Sequence, residues 1–514
     1  METGNKIIIL DFGSQYTKLI ARRVRELAVF SEILPCDTPL DQLNQADIKG
    51  IILSGGPNSV FDNKALTVAP GFWDLKKPIL GVCYGMQLMS HRLGGKVEAS
   101  NEREYGPSNL ELSGSHPLFK GFSEKTRVWM SHGDRLEQVP DGFRIVGTSE
   151  NAPITAMVHE EKPLMGIQFH PEVSHTDNGQ LLLKNFVFDI CGCEPMWKME
   201  NYINQVCEEI RQKVGEEHVL LGLSGGVDSA VAAVLINKAI GHQLTCVFVD
   251  HGLMRRDERR DVEESFHGRF GIDLIPVDAS DLFLSRLDGV DDPERKRKII
   301  GASFVEVFEE EARKLPVKPR FLGQGTLYPD VIESAHAGGP AQTIKSHHNV
   351  GGLPEKMDMD LLEPLRELFK DEVREIGRLM GLPEKMVGRH PFPGPGLAVR
   401  IIGAIDRESI RILQEADAIF IESLQSAGLY DTVSQSFAVL LPTKTVGIMG
   451  DERTHEQVCV LRSVNTTDFM TADWSRLPYD FLAQVSARIV NEVAGINRVV
   501  YDITSKPPGT IEWE

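Results

Sequence analysis

The order of strand and helix signals predicts an α/β protein. Two parallel-sheet α/β domains in series, residues 1–195 and 196–395, precede a smaller α+β domain, residues 396–514. Three observations carry that expectation. Short apolar runs alternate with helical patterns over the first 195 residues. A strand–loop–helix–strand unit follows Met196. Pro391–Gly396 (PFPGPG) then stops any helix or central strand. A prior of about 150 residues per domain also gives about three domains for 514 residues.

Taken in order, Lys6–Asp11 (KIIILD) is an apolar run of the kind that forms a strand buried on both faces, and a helical pattern follows from Gln15 to Leu27. Gly50–Ser54 (GIILS) and Pro78–Val82 (PILGV) repeat the strand signal, each ending at a turn or a helix. Ligands of such sheets bind outside the carboxyl ends of the strands. The second domain opens with an amphipathic helix, Met199–Val214, and a strand, Val219–Leu223. A glycine-hydroxyl-acid loop, an alanine-rich helix to Ile240 and a strand over Leu244–Val249 complete a βαβ unit. The last domain mixes helices (Asp406–Gln425, Tyr479–Glu492) with strand-like runs (Val446–Met449, Val458–Val464, Val499–Ile503).

Net charge is 55 Lys and Arg against 74 Asp and Glu, or −19. So acidic a chain is not built to coat a nucleic acid, although a local basic pocket for one phosphorylated ligand is compatible with it. The seven cysteines are scattered and odd in number, which fits packed thiols in a reducing compartment; Cys191-Gly192-Cys193 is too short for a zinc site. No secretory leader and no apolar run near the ~20 residues of a membrane span is visible, so a soluble, cytoplasmic protein is expected.

Gly81-Val82-Cys83-Tyr84-Gly85 follows a strand and opens a helix. This is the cysteine version of the nucleophile elbow, and the helix N-terminus favours the attacking thiolate. Cys83 alone would read as a buried structural thiol. Gly166–Glu172 (GIQFHPE) supplies its partners, because residues two apart on a strand point the same way. His170 would then move the proton and Glu172 would orient the ring. Ser54-Gly55-Gly56 places free N–H groups after another strand, so Gly56 and Tyr84 form the expected oxyanion hole.

Gly222-Leu223-Ser224-Gly225-Gly226 also satisfies G-x-S-x-G, but Val227-Asp228-Ser229 follows it at a helix N-terminus. Successive N–H groups and two hydroxyls make an anion nest there, with Asp228 suited to magnesium. No Walker loop and no G-x-G-x-x-G after a strand occurs, and Asp11-Phe12-Gly13 lacks a kinase catalytic loop.

The Cys83, His170 and Glu172 segments resemble the class I glutamine amidotransferase domain. The resemblance implies that glutamine is hydrolysed through a thioester, with Gln87, Ser131 and His132 holding the substrate. Ser224–Ser229 resembles the pyrophosphate loop of N-type ATP pyrophosphatases, which adenylate a carbonyl oxygen; Lys370 would meet the pyrophosphate. Ammonia release joined to adenylation cannot itself choose among NAD, asparagine and guanine nucleotide synthesis. Residues 297–301, 323–330, 346–352, 394–400 and 505–514 resemble the GMP synthetase family, nearly over the whole chain. That resemblance implies glutamine, ATP with magnesium and xanthosine monophosphate as substrates. It further implies nucleotide contacts from Arg297, Asp451, Lys506 and Glu512 and a homodimer formed through the last domain, while the paired histidines and glycine hinge of 347–352 would suit a lid over the nucleotide. The rival readings are an adenylating amidotransferase with another acceptor, a regulatory or binding protein that keeps the fold without the chemistry, and a C-terminal domain that serves only the substrate site.

Overall fold

The computed structural model describes residues 5–62, 65–336, 359–449, 452–466, 469 and 471–514. Asp451 and the expected lid lie outside the described residues. The chain gathers into two compact units, Met1–Tyr202 and Ile203–Glu514, which divide within helix Met199–Val214.

The first unit is built on β1 (Lys6–Asp11), β2 (Phe30–Pro35), β3 (Ile48–Leu53), β4 (Ile79–Val82), β5 (Lys96–Leu112), β6 (Lys125–Gln138), β7 (Phe143–Thr148), β8 (Ala156–His159) and β9 (Leu164–Ile167). They form one sheet in the order β2-β1-β3-β4-β9-β8-β7-β5-β6. The half from β2 to β9 is parallel, and its central strands are buried on both faces, as their unbroken apolar runs require. The half from β9 to β6 is antiparallel and was not expected. On β6, buried residues alternate with exposed or half-buried ones, which is the pattern of a sheet solvated on one face. Ile8, Leu10, Ile51, Leu53, Met86 and Met157 share the core.

The second unit holds two sheets. Strands β10 (Val219–Leu223), β11 (Leu244–Asp250), β12 (Asp273–Asp278), β13 (Phe321–Gly323) and β14 (Asp360–Leu362) run parallel in the order β12-β11-β10-β13-β14. Strand β10 therefore sits where the order reverses, the point at which such sheets open a crevice for ligands. The other sheet is β15 (Gln435–Met449), β16 (Glu452–Asn465), β17 (Asp473–Trp474) and β18 (Ile496–Asp502), antiparallel except where β18 joins β16. Helices Arg407–Ser426 and Tyr479–Glu492 cover it. One hydrophobic cluster runs from Leu220 and Val247 through Leu397 and Ala398 to Leu440 and Val485.

Local boundaries differ from expectation for identifiable reasons. Helix Thr17–Arg25 is shorter than Gln15–Leu27 because Thr17 N–H closes a turn on Ser14 O and the chain leaves the helix near Ala28, at φ +57. The runs at 446–449 and 458–464 are parts of longer strands; the ladder continues through polar pairs such as Thr445–Glu456, which carry no apolar signal.

Candidate active sites

In the first unit, β4 leads directly into Cys83 and helix Tyr84–Arg92. Cys83 takes φ +50, ψ −108, a conformation that costs a side-chain-bearing residue roughly 1–3 kcal/mol. Its N–H donates to Ile167 O at 2.8 Å, and its carbonyl accepts from Met86 and Gln87 N–H at 3.0 and 3.1 Å. Gly85 packs against β3 so closely that a Cβ there would lie 2.5 Å from Leu53 Cβ. The thiol is buried, with Sγ 3.5 Å from Ser131 O and 3.6 Å from Gln168 Nε2.

His170 lies three residues beyond β9, and its Nδ1 is 2.7 Å from Glu172 Oε1, so the two meet in the turn after the strand and not, as expected, by strand alternation. Burial works to lower the His170 pKa, but the Glu172 carboxylate and contact with Cys83 outweigh it, holding the imidazolium well above 6.5. The ring is held by an edge-on contact with Tyr16, and its backbone by Thr176 Oγ1, which donates to His170 O at 2.6 Å. Arg23 Nε donates to Glu172 O at 3.0 Å. A Cβ on Gly55 would come within 3.2 Å of His170 Cε1, so the glycine pair after β3 adjoins the ring. Tyr84 is the first helical residue, ahead of the i→i−4 ladder, so its N–H has no partner within the helix.

The three residues expected to hold glutamine lie beside this elbow and are already engaged. Gln87 Nε2 donates to Asp134 O at 2.9 Å, and Ser131 turns its carbonyl to Cys83. His132 is buried between Asp134 O, 3.0 Å from Nδ1, and Glu104 Oε2, 3.3 Å from Nε2. Burial opposes charge on Glu104, yet hydrogen bonds from His132 and Ser108 hold its carboxyl below the usual range.

In the second unit, β10 ends at the loop Ser224–Gly226 and helix Val227–Ile240 begins. Ser229 Oγ accepts from Ser224 N–H at 3.2 Å, lies 3.1 Å from Ser224 Oγ and donates to Gly226 O at 3.1 Å. Lys370, the first residue of helix Lys370–Leu379, reaches Asp228 Oδ2 at 2.5 Å across 142 positions of sequence. Asp228 Oδ1 is buried without a hydrogen-bond partner. Among the described residues no group of three His, Cys, Asp or Glu could cage an ion. One orphaned carboxylate oxygen beside an anion nest suits magnesium carried mainly by phosphates and water.

The expected nucleotide contacts are spread over the second unit. Arg297 lies on helix Pro293–Lys314, paired with Glu294. Lys506 Nζ donates to Phe469 O at 2.7 Å. Glu512 accepts from Arg400 at 3.0 and 2.8 Å and from Gln435 Nε2 at 2.7 Å. To touch a nucleotide, it would have to share or release these donors.

Comparison with known proteins resolves what this combination belongs to. The family model for Glutamine amidotransferase class-I matches residues 8–190, that for NAD synthase 199–292, and that for the GMP synthase C terminal domain 422–513. The glutamine-hydrolysing GMP synthase of Spiroplasma kunkelii is 56% identical over 514 residues, covering 100% of both chains. Those of Brachyspira hyodysenteriae and Azoarcus sp. are 55% and 56% identical over 99% of this chain and 99% of their own. The chain belongs to the glutamine-hydrolysing GMP synthase family. The GMP synthase C-terminal match takes in β15, β16, β17, β18 and the end of helix Arg407–Ser426. The NAD synthase match stops after β12, covering the Ser224–Ser229 loop but neither β13 nor Lys370.

Several residues around these GMP synthase sites escaped the sequence reading. Glu104 faces His132 only through the β5–β6 register. Arg389 and Glu258 lie behind the phosphate loop, 131 positions apart. Lys296, fully buried, donates to Glu514 Oε2 at 2.5 Å, to Ala398 O at 3.1 Å and to Ile401 O at 2.7 Å. A buried lysine next to Arg297 in a helix gives no periodic signal of its own.

Proposed function

We infer that the chain makes GMP by aminating xanthosine 5′-monophosphate with ammonia from glutamine, consuming ATP and yielding AMP and pyrophosphate. Full-length identity of 56% to a glutamine-hydrolysing GMP synthase carries this reading. The geometry supports a division of labour over three functional domains, 1–195, 196–395 and 396–514.

In the first, Cys83 attacks the glutamine carboxamide, and the oxyanion is met by the N–H groups of Gly56 and Tyr84, each worth roughly 3–4 kcal/mol. His170 takes the Cys83 thiol proton, which the Glu172 carboxylate helps to hold on the ring, and hands it to the departing ammonia. The neutral ring then takes a proton from the water that releases glutamate from the thioester. Gln87, Ser131 and His132 shape the glutamine pocket. In the second, the N–H groups and hydroxyls of Ser224, Gly225, Gly226, Val227 and Ser229, with Lys370, receive the pyrophosphate of ATP. Magnesium bound with ATP and held by Asp228 would supply charge neutralisation at the phosphates. The nucleotide's carbonyl oxygen displaces pyrophosphate from the α-phosphorus, and ammonia then displaces AMP. Arg297, Asp451, Lys506 and Glu512 hold the acceptor nucleotide.

Exposed Val446, Ile448 and Val500 on the C-terminal sheet support a homodimer, and sedimentation showing only monomer in dilute reducing buffer would sink that part. No helix among the described residues is long and apolar enough to cross a membrane, in keeping with a cytoplasmic enzyme. The central test follows loss of xanthine absorbance with ATP and either nitrogen donor. Cys83→Ala should abolish synthesis from glutamine and leave synthesis from ammonium largely intact; loss of both in a folded variant contradicts the assignment. Asp228→Ala should stop both.

A further inference from the structure

Behind the phosphate loop lies a set of charges that the reaction scheme leaves without a role. Gly225 sits at φ +74, and its carbonyl accepts from Arg389 Nη1 at 3.1 Å. Arg389 is forked onto Glu258, with Nη1–Oε1 2.8 Å and Nη2–Oε2 2.9 Å. The Glu258 side chain is only 3% exposed, and Oε2 also accepts from Arg255 N–H at 3.2 Å. The pair fills the space behind the loop: a Cβ on Gly225 would lie 2.5 Å from Glu258 Oε1.

A trans peptide holds its C=O and N–H on opposite sides. Fixing the Gly225 carbonyl toward Arg389 therefore turns the Gly226 N–H the other way, where it lies 3.4 Å from Ser224 Oγ. A carbonyl turned inward would present partial negative charge where a phosphate must bind. The fork geometry matters, because only a guanidinium can serve Glu258 through two parallel bonds and still reach a third acceptor. Arg389 also lies 5.3 Å from the centre of the Phe392 ring, and Arg255 and Arg400 each lie 5.0 Å from it. The interrupting segment 391–396 thus anchors the residue that holds the loop.

We propose that Arg389 and Glu258 are positioning residues for ATP: Arg389 holds the Gly225 carbonyl off the anion side of the loop, and Glu258 holds Arg389. This rests on reading Ser224–Ser229 as the ATP pyrophosphate loop. The test uses the full chain with ammonium as nitrogen donor and measures the KM for ATP, the KM for xanthosine monophosphate, inhibition by inorganic pyrophosphate, and the melting midpoint. Arg389→Lys keeps a buried cation beside Glu258 and removes the fork. It should raise the ATP KM and the pyrophosphate inhibition constant about tenfold, the worth of one charge-assisted hydrogen bond. The acceptor KM should stay within about twofold, because Arg389 touches the loop directly and meets the acceptor contact Glu512 only at a remove, through Phe392 and Arg400. Glu258→Gln, which retains one acceptor, should move both ATP-linked constants the same way by less. Unchanged ATP and pyrophosphate constants in either folded variant overturn the proposal. So does a rise in the acceptor KM that keeps step with the ATP KM, which would mark general loosening. Pyrophosphate that fails to compete with ATP in the unmodified chain overturns the loop assignment itself, and the clamp with it.

Discussion

Cys83 shows how a single residue can be held where its own backbone would not choose to be. At φ +50 it is strained, and the strain persists because Ile167 O, Met86 N–H and Gln87 N–H fix the peptide groups on both sides. Cys83→Gly should therefore be more stable than Cys83→Ala by roughly 1 kcal/mol, the strain relieved less the entropy glycine adds to the unfolded chain. Denaturant midpoints of the two variants check this, and equal midpoints would mean the turn is unstrained. His170 gives a second test. Its folded pKa lies well above 6.5, so its contribution to stability is fully present below about 6.5 and is lost as pH rises through the folded value. Glu172→Gln should bring the His170 titration down toward the ordinary range, read from its ring-proton resonances. The melting deficit of that variant should shrink as pH rises through the native folded value. These residues were legible because each is embedded in a local pattern, a glycine-flanked turn or an i, i+2 pair. Glu104 and Arg389 were not, since nothing within several residues of either betrays the partner that burial forces on it.

Elements were legible where one face or both are apolar, and hidden where polarity and pairing disagree. The buried parallel strands β1, β3 and β4 announced themselves; the half-exposed edge strand β2 did not, nor did β5 and β6, 17 and 14 residues long, because a half-solvated hairpin carries its order in main-chain pairing. Yet that hairpin supplies Ser131 and His132 beside Cys83. Pro391–Gly396 reads as a breaker and, with His390 just before it, behaves as a packed strap. There His390 stacks on Tyr430 at 3.8 Å, and burial pushes its pKa down to about 4 against the hydrogen bond to Tyr430 O. The unfolded chain takes up that proton near 6.5 and the folded chain only near 4. Stability of the second unit should therefore fall as pH drops across that window, and His390→Gln should flatten the slope. An unchanged slope would mean that another group sets the acid limit.

At the scale of the whole molecule, the net charge of −19 argues against a chain that coats nucleic acid and places no bar on nucleotides, because the cations that matter are local. Some are wholly internal. Lys296, Arg400 and Arg462 are each 0% exposed, and each is answered by the last stretch of chain: Glu514, Glu512, and the carbonyls of Thr504 and Thr510. Removing residues 512–514 should destabilise the second unit by about 3–5 kcal/mol for each buried cation left unpaired, with the melting of the first unit unchanged. Calorimetry resolving two transitions would show it; a single transition shifted as a whole would not fit. A further consequence concerns synthesis. The ribosome makes Lys296 more than 200 residues before Glu514, so the helix that carries it emerges with a positive charge that has no place in a closed core. The first unit can finish folding while the rest is still being translated. The core of the second unit therefore closes around Lys296 only once Glu514, 218 positions further along, has reached it.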